Sequence, residues 1–192
     1  MNFSYATLPD HPVQELLDTL ALADELGFQG AYGADETYHK DSWQIFAAAS
    51  ARTSRIKMGP CVTHVILKDP TILAHQIATL DELSGGRADV VYSIGNIAML
   101  DQYHIDWKTG GQIKRLREAH HVMRTFLDEG AIDFDGEFYR YTGLFTAARP
   151  VQERVPLKIG AMRGPRRRPV PRRNSSSPGW ECRNSRDPAQ PA

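Results

Sequence analysis

"LDELSGGRADVVYSIGN", residues 80–96, carries the end of one structural element and the start of another. Leu80 and Leu83 close an apolar face that begins at Ile72 and runs through Leu73 and Ile77 at helical spacing. Gly85 ends it, because glycine takes up at no steric cost the left-handed backbone with which helices commonly finish. From Arg87 the pattern changes to "RADVVYSIG" (87–95), a compact apolar run that reads as a strand and closes on the small residues Ser93 and Gly95. A helix that feeds a strand through a tight glycine turn is one step of an alternating α/β chain.

The same alternation extends in both directions. Upstream, "NFSYATL" reads as a strand, and Pro12, Val13, Leu16, Leu17, Leu20, Ala23 and Leu26 recur at helical spacing up to Gly27. "FQGAYGA" (28–34) is a second strand, 41–53 an alanine-rich helix, and "RIKMGP" (55–60) with "CVTHVI" a third strand and its exit. Asp69-Pro70 starts the next helix, an acceptor followed by a residue whose missing N–H costs nothing there. Downstream, 112–129 reads as a helix with Ile113, Leu116, Met123, Phe126 and Leu127 on one side. "IDFDGEFYRY" (132–141) has the Asp-Gly of a hairpin, and "VPLKIG" (155–160) is a fifth parallel strand. Such a chain forms a parallel sheet with helices outside, either open or closed into a barrel. Both kinds bind ligands beyond the C-terminal ends of the strands. The stretches that matter are therefore 35–41, 59–64, 93–96 and 160–164.

Length and composition narrow the setting. The 192 residues suffice for one domain but fall short of the roughly 250 of a complete eight-unit barrel. Cys61 and Cys182 are too few for a disulfide framework, and "MNFSYATLPD" has no secretory pattern. No run approaches the roughly 18 apolar residues of a membrane span, so a cytoplasmic protein is expected. The zero net charge hides an asymmetry: 165–192 hold seven Arg against Glu181 and Asp187, with six Pro and no Leu, Ile, Phe or Met. That segment is expected to be a disordered basic tail following a first domain of 1–164. Its abrupt start at Pro165 looks like a shifted reading frame or an altered terminus. With Trp180 its single aromatic and no nucleic-acid module in view, nucleic acid is not an expected partner.

Asp35 and Glu36 end the second strand beside His39. Adjacent carboxylates can hold a metal, or give up protons if burial raises a pKa toward neutrality; they can equally form a solvated loop before the helix at Asp41. Gly59-Pro60-Cys61, on residues alone, reads as a loop turn. Asn96 can bond a cofactor or substrate carbonyl but cannot act as a general acid. His120 and His121 point about 100° apart on their helix, and His64, His75 and His104 lack metal-ligand spacing, so no metal site is expected. His64 stands out for lying just past the third strand.

"LDELSGGRADVVYSIGN", together with "GFQGAYGADE", "IKMGPCVTHVILKDPTILAHQIATLDELSGGR", "HIDW" and "FDGEFYRYTG" in this order and spacing, resembles the luciferase-like family of flavin-dependent monooxygenases and deazaflavin (coenzyme F420) dependent reductases. Residues 1–165 carry the resemblance, which within the family is nearest to the methylenetetrahydromethanopterin reductase branch. It implies a (βα)8 TIM barrel, here truncated to about five units, that moves hydride between F420 and a small-molecule substrate; FMN is the alternative cofactor, in a monooxygenase. It also implies a backbone bulge at Gly59–Thr63, with a cis peptide between Cys61 and Val62, pressing on the cofactor ring. The implied catalytic residues are Asp35 and Glu36; the implied cofactor contacts are Cys61, Val62, Thr63, Ser93, Gly95, Asn96, Gly160 and Ala161. Two positions depart from the family pattern. Glu36 stands where relatives often have His, and Ser93-Ile94-Gly95-Asn96 replaces a Gly-x-Gly followed by an acidic residue.

Five strands of an eight-strand barrel leave two open edges and an uncovered inner face. Self-association is the expected response, and the chain is expected to be a homo-oligomer; a fragment that acts only through binding or oligomerisation is the non-catalytic alternative.

Overall fold

The structure, a computed structural model, describes residues 3–161, which fall within one compact unit, Met1–Ala161. The expected basic tail and the Gly164/Pro165 boundary lie outside the described residues. In chain order the elements are β1 (Ser4–Thr7), α1 (Val13–Glu25), β2 (Gly30–Gly33), α2 (Ser42–Ser50), β3 (Lys57–His64) and α3 (Pro70–Ser84). There follow β4 (Val90–Ser93), α4 (Ile97–Gln102), α5 (Gln112–Glu129), β5 (Ala131–Asp135), β6 (Arg140–Phe145) and β7 (Leu157–Ile159).

Five strands pair in parallel in the order β1-β2-β3-β4-β7, so every crossover steps the same way. Right-handed crossovers that never reverse direction keep their helices on one face, which is the winding of a barrel and not of a doubly wound sheet. The choice that periodicity left open is thereby made. On the helical face, Leu16 and Leu20 of α1, Phe46 of α2, Leu73 and Ile77 of α3 and Met123 of α5 bury against Ala31, Met58 and Val90.

Local signals set the element ends. The Asp41 carboxylate accepts from the N–H groups of Trp43 and Gln44, and the Asp69 carboxylate accepts from that of Thr71, with Pro70 in the first turn. Gly85 ends α3 at φ 66°, in the left-handed region. The hairpin is present, with β5 and β6 antiparallel, but pairing stops at Asp135↔Arg140 and leaves 136–139 as its tip. The short α4 was not expected from the sequence.

The inner face departs from expectation in its chemistry. Tyr5 packs on the helical side, so Ser4 and Ala6 take the other face, and both are exposed. Asp89 is buried there and accepts from Tyr32 Oη at 2.9 Å and Lys158 Nζ at 2.6 Å. Small and charged residues give this face little apolar area to drive association; Phe145, Val151 and Ile159 are exposed elsewhere.

At the opposite end from the C-terminal strand ends, Asp24 ties α1 to the entry of β3. Its carboxylate accepts from the backbone N–H groups of Ser54, Arg55 and Ile56 at 2.8, 2.9 and 2.6 Å. Burial opposes the charge, but these bonds outweigh it and hold the carboxyl below its usual 3.8. Asp24→Ala is expected to cost about 2–4 kcal/mol in urea denaturation at pH 7, since three N–H donors lose their acceptor. Because the folded pKa is depressed, the carboxylate's contribution is present above pH 3.8 and is lost as pH falls through the folded value. The gap between wild type and Asp24→Ala should therefore narrow on acidification below that point.

Candidate functional site

The C-terminal ends of β2, β3, β4 and β7 bring together 35–41, 59–64, 93–96 and, of the fourth stretch, 160–161, the rest of which lies outside the described residues. Between β3 and β4 the register runs Cys61↔Val91 and then Thr63↔Tyr92, which leaves Val62 as an extra residue and bulges the strand. The Cys61–Val62 peptide is cis. A bulge within a paired strand replaces the loop turn that the residues alone suggested. Val62 leans toward the end of β7: a Cβ on Gly160 would lie 2.6 Å from Val62 Cγ1, so the bulge requires glycine there. Gly160 N–H donates to the Tyr92 carbonyl at 2.8 Å and prolongs the pairing, while Ala161 beside it is exposed.

Asp35, at the end of β2, is buried beneath the bulge. Its carboxylate accepts from Thr63 Oγ1 at 2.6 Å, from Trp43 Nε1 at 2.9 Å and from Lys68 Nζ at 2.6 and 2.9 Å. Burial alone would raise its pKa; the bonds from Lys68, Thr63 and Trp43 reverse that and hold it below the usual 3.8. The reading of Asp35 as a proton donor is corrected accordingly, because a group kept ionised has no proton to give. Asp35 orients Thr63 and Lys68 instead.

Glu36 differs from its neighbour. Its side chain is 20% exposed, Oε1 accepts from Asn96 Nδ2 at 3.0 Å, and Oε2 lies 3.9 Å from His39 Nε2. His39 Nδ1 in turn meets the Asp10 carboxylate at 2.5 Å. Asn96 Oδ1 accepts from Ala98 N–H at 3.0 Å and caps α4, so one side chain both starts that helix and steadies Glu36. Ser93 Oγ accepts from Gly95 N–H at 3.0 Å. Gly95, at φ 117°, lies against His64, where a Cβ would come within 3.1 Å of the His64 Cβ. Burial pushes the His64 imidazole below its usual 6.5, and neither ring nitrogen has a hydrogen-bond partner among the described residues.

Of the residues singled out in the sequence, Asp35 and Thr63 meet directly, as do Glu36 and Asn96, and Val62 meets Gly160. Lys68, Trp43 and Asp10 complete the arrangement without having been singled out as partners, and His39 lies beside Glu36 as the sequence placed it. No group of three or more His, Cys, Asp or Glu among the described residues is arranged to hold a metal ion. No described helix is long and apolar enough to cross a membrane. Asp35→Asn removes the countercharge of Lys68 and is expected to lower stability by about 2 kcal/mol at pH 7. Chemical denaturation measures it, and the loss should shrink as pH falls through the depressed pKa of Asp35.

Comparison with known proteins gives this geometry a context. Residues 1–169 match the family model described as luciferase-like monooxygenase. The 5,10-methylenetetrahydromethanopterin reductase of Archaeoglobus fulgidus is 30% identical over 166 residues, 86% of this chain and 48% of the relative. The solved coenzyme F420 dependent tetrahydromethanopterin reductase from Methanopyrus kandleri superposes with a TM-score of 0.78 at 27% identity, over 83% of this chain and 50% of that one. The monooxygenase RslO1 from Streptomyces bottropensis gives 0.74 at 25% identity, over 83% and 53%. The chain spans about half the length of the curated relatives it matches.

Proposed function

The chain belongs to the luciferase-like monooxygenase family, and on that premise we propose that residues 1–164 form the N-terminal part of a barrel oxidoreductase using coenzyme F420. The observation that carries this reading is the β3 bulge at Cys61–Thr63, backed by Gly160 on one side and buried Asp35 on the other. The similarity to the coenzyme F420 dependent reductase from Methanopyrus kandleri favours the deazaflavin.

The residues present fit such a cofactor. Small residues at Gly95, Gly160 and Ala161 keep the strand ends low, and Glu36 and Asn96 offer an acid and an amide side by side. F420, when bound, supplies or accepts the hydride. Cys61, Val62 and Thr63 would support its ring from the bulge, with Thr63 held by Asp35. Ser93, Gly95 and Asn96 would border it along β4, and Gly160 and Ala161 along β7. Glu36 is the residue able to hold or release a proton at Oε1 or Oε2 for a small organic substrate. Asn96 Nδ2 donates a hydrogen bond to Glu36 and exchanges no proton in the reaction, so the acid of this site is Glu36, just past β2.

A fluorescence titration tests the cofactor: F420 should bind, and FMN more weakly. Tight FMN binding without F420 binding would move the chain to the monooxygenase reading, which the similarity to RslO1 favours. In preparations that turn over, Glu36→Gln should keep F420 affinity while lowering kcat by about 10²- to 10⁴-fold.

We read the chain as self-associating, with the support at the strand edges: the outer edges of β1 and β7 are unpaired among the described residues. Light scattering should give a mass above the 21.5 kDa of one chain. A sharp 21.5 kDa species across a concentration series would contradict that.

A further inference from the structure

The β5–β6 hairpin stands outside the five-stranded sheet, yet contacts from its tip and from α5 converge on 65–69, the segment that leaves the β3 bulge. Tyr139, buried, donates its hydroxyl to the Val65 carbonyl at 2.7 Å. Arg115 of α5 donates Nε to Tyr139 Oη at 3.1 Å and Nη2 to the Ile66 carbonyl at 3.4 Å. Its guanidinium carbon also lies 5.5 Å from the centre of the Tyr139 ring. Tyr141 Oη sits 3.0 and 2.9 Å from the two oxygens of Asp69, the residue that caps α3. The tip is itself fixed, since the Glu118 carboxylate accepts from the N–H groups of Glu137 and Phe138 at 3.0 and 2.9 Å.

The clamped segment contains Lys68, whose ammonium bonds Asp35, which in turn accepts the Thr63 hydroxyl of the bulge. We propose that the hairpin is a positioning clamp for the strand-end site: Tyr139 at its tip and Tyr141 in β6, acting through 65–69, set where Lys68 and Thr63 stand. The two phenols act at a distance, and their hydroxyls can be removed while their rings still pack. Only the ligand-affinity part of the test rests on the F420 reading; the clamp itself is a statement about this chain's own residues.

The test compares amide hydrogen exchange in wild type, the double variant Tyr139→Phe/Tyr141→Phe and Arg140→Ala. Arg140 is on the same hairpin, exposed, and paired with Asp135, away from 65–69. In the double variant, exchange across 61–69 should speed by about fivefold or more while the β1–α1 region keeps its wild-type rate, and F420 affinity should fall. Arg140→Ala should leave both regions unchanged. Unchanged exchange across 61–69 in the double variant would overturn the clamp, as would an equal acceleration throughout the chain, which marks general destabilisation. A wild-type chain that binds no F420 would defeat the functional reading alone, and exchange would still decide the clamp.

Discussion

The buried carboxylate of Asp35 is the contact through which the strand ends are assembled. A charge removed from water is costly unless it is paired and hydrogen-bonded, so its position demands donors from several elements at once. Trp43 supplies one from α2, Thr63 one from the bulged part of β3, and Lys68 a charged one from the loop that follows. The helix that follows β2 and the end of β3 with its exit are thereby referred to a single point at the end of β2. The depressed pKa of Asp35 expresses the same balance, with the bonds outweighing burial.

Around that point the sheet supplies room. Gly160 admits Val62, and Gly59 lets β3 approach the β4 entry so closely that a Cβ would stand 2.5 Å from the Asp89 carbonyl oxygen. With every crossover stepping the same way, the strand ends are gathered on one rim. Glu36 and Asn96 come from the ends of β2 and β4, which are not neighbours in the sheet, and their hydrogen bond spans the mouth across the β3 bulge. The acid is therefore held by an amide whose other end is committed to capping α4.

Much of this was legible in the sequence because its causes are local. The Asp69-Pro70 start and the Gly85 stop of α3 depend on neighbours within a few residues, and each stands where the pattern put it; of its apolar face, Leu73, Ile77 and Leu80 are buried, whereas Ile72 and Leu83 are exposed. The helix α5 likewise covers Gln112–Glu129 as its apolar face suggested. The bulge at Cys61–Thr63 was legible only through resemblance, since Gly-Pro-Cys alone looks like a turn. Asn96 before "IAMLDQ" was a readable cap signal for α4, but six residues give too little periodicity to reveal a helix. The bonds from Lys68 to Asp35 and from Tyr141 to Asp69 join residues 33 and 72 positions apart, and no local pattern announces them. Asp35 itself was visible as a strand-end carboxylate, yet its ionisation depends on those distant donors.

Asp35, held by these donors, acts as an ionised anchor and not as a proton donor. Carbon-13 NMR of its side-chain carboxyl across an acid titration of the folded chain measures this directly. A midpoint below 3.8, the usual value for an aspartate, is expected. A midpoint at or above 3.8 would mean that the bonds from Lys68, Thr63 and Trp43 do not outweigh burial, and would contradict the assignment.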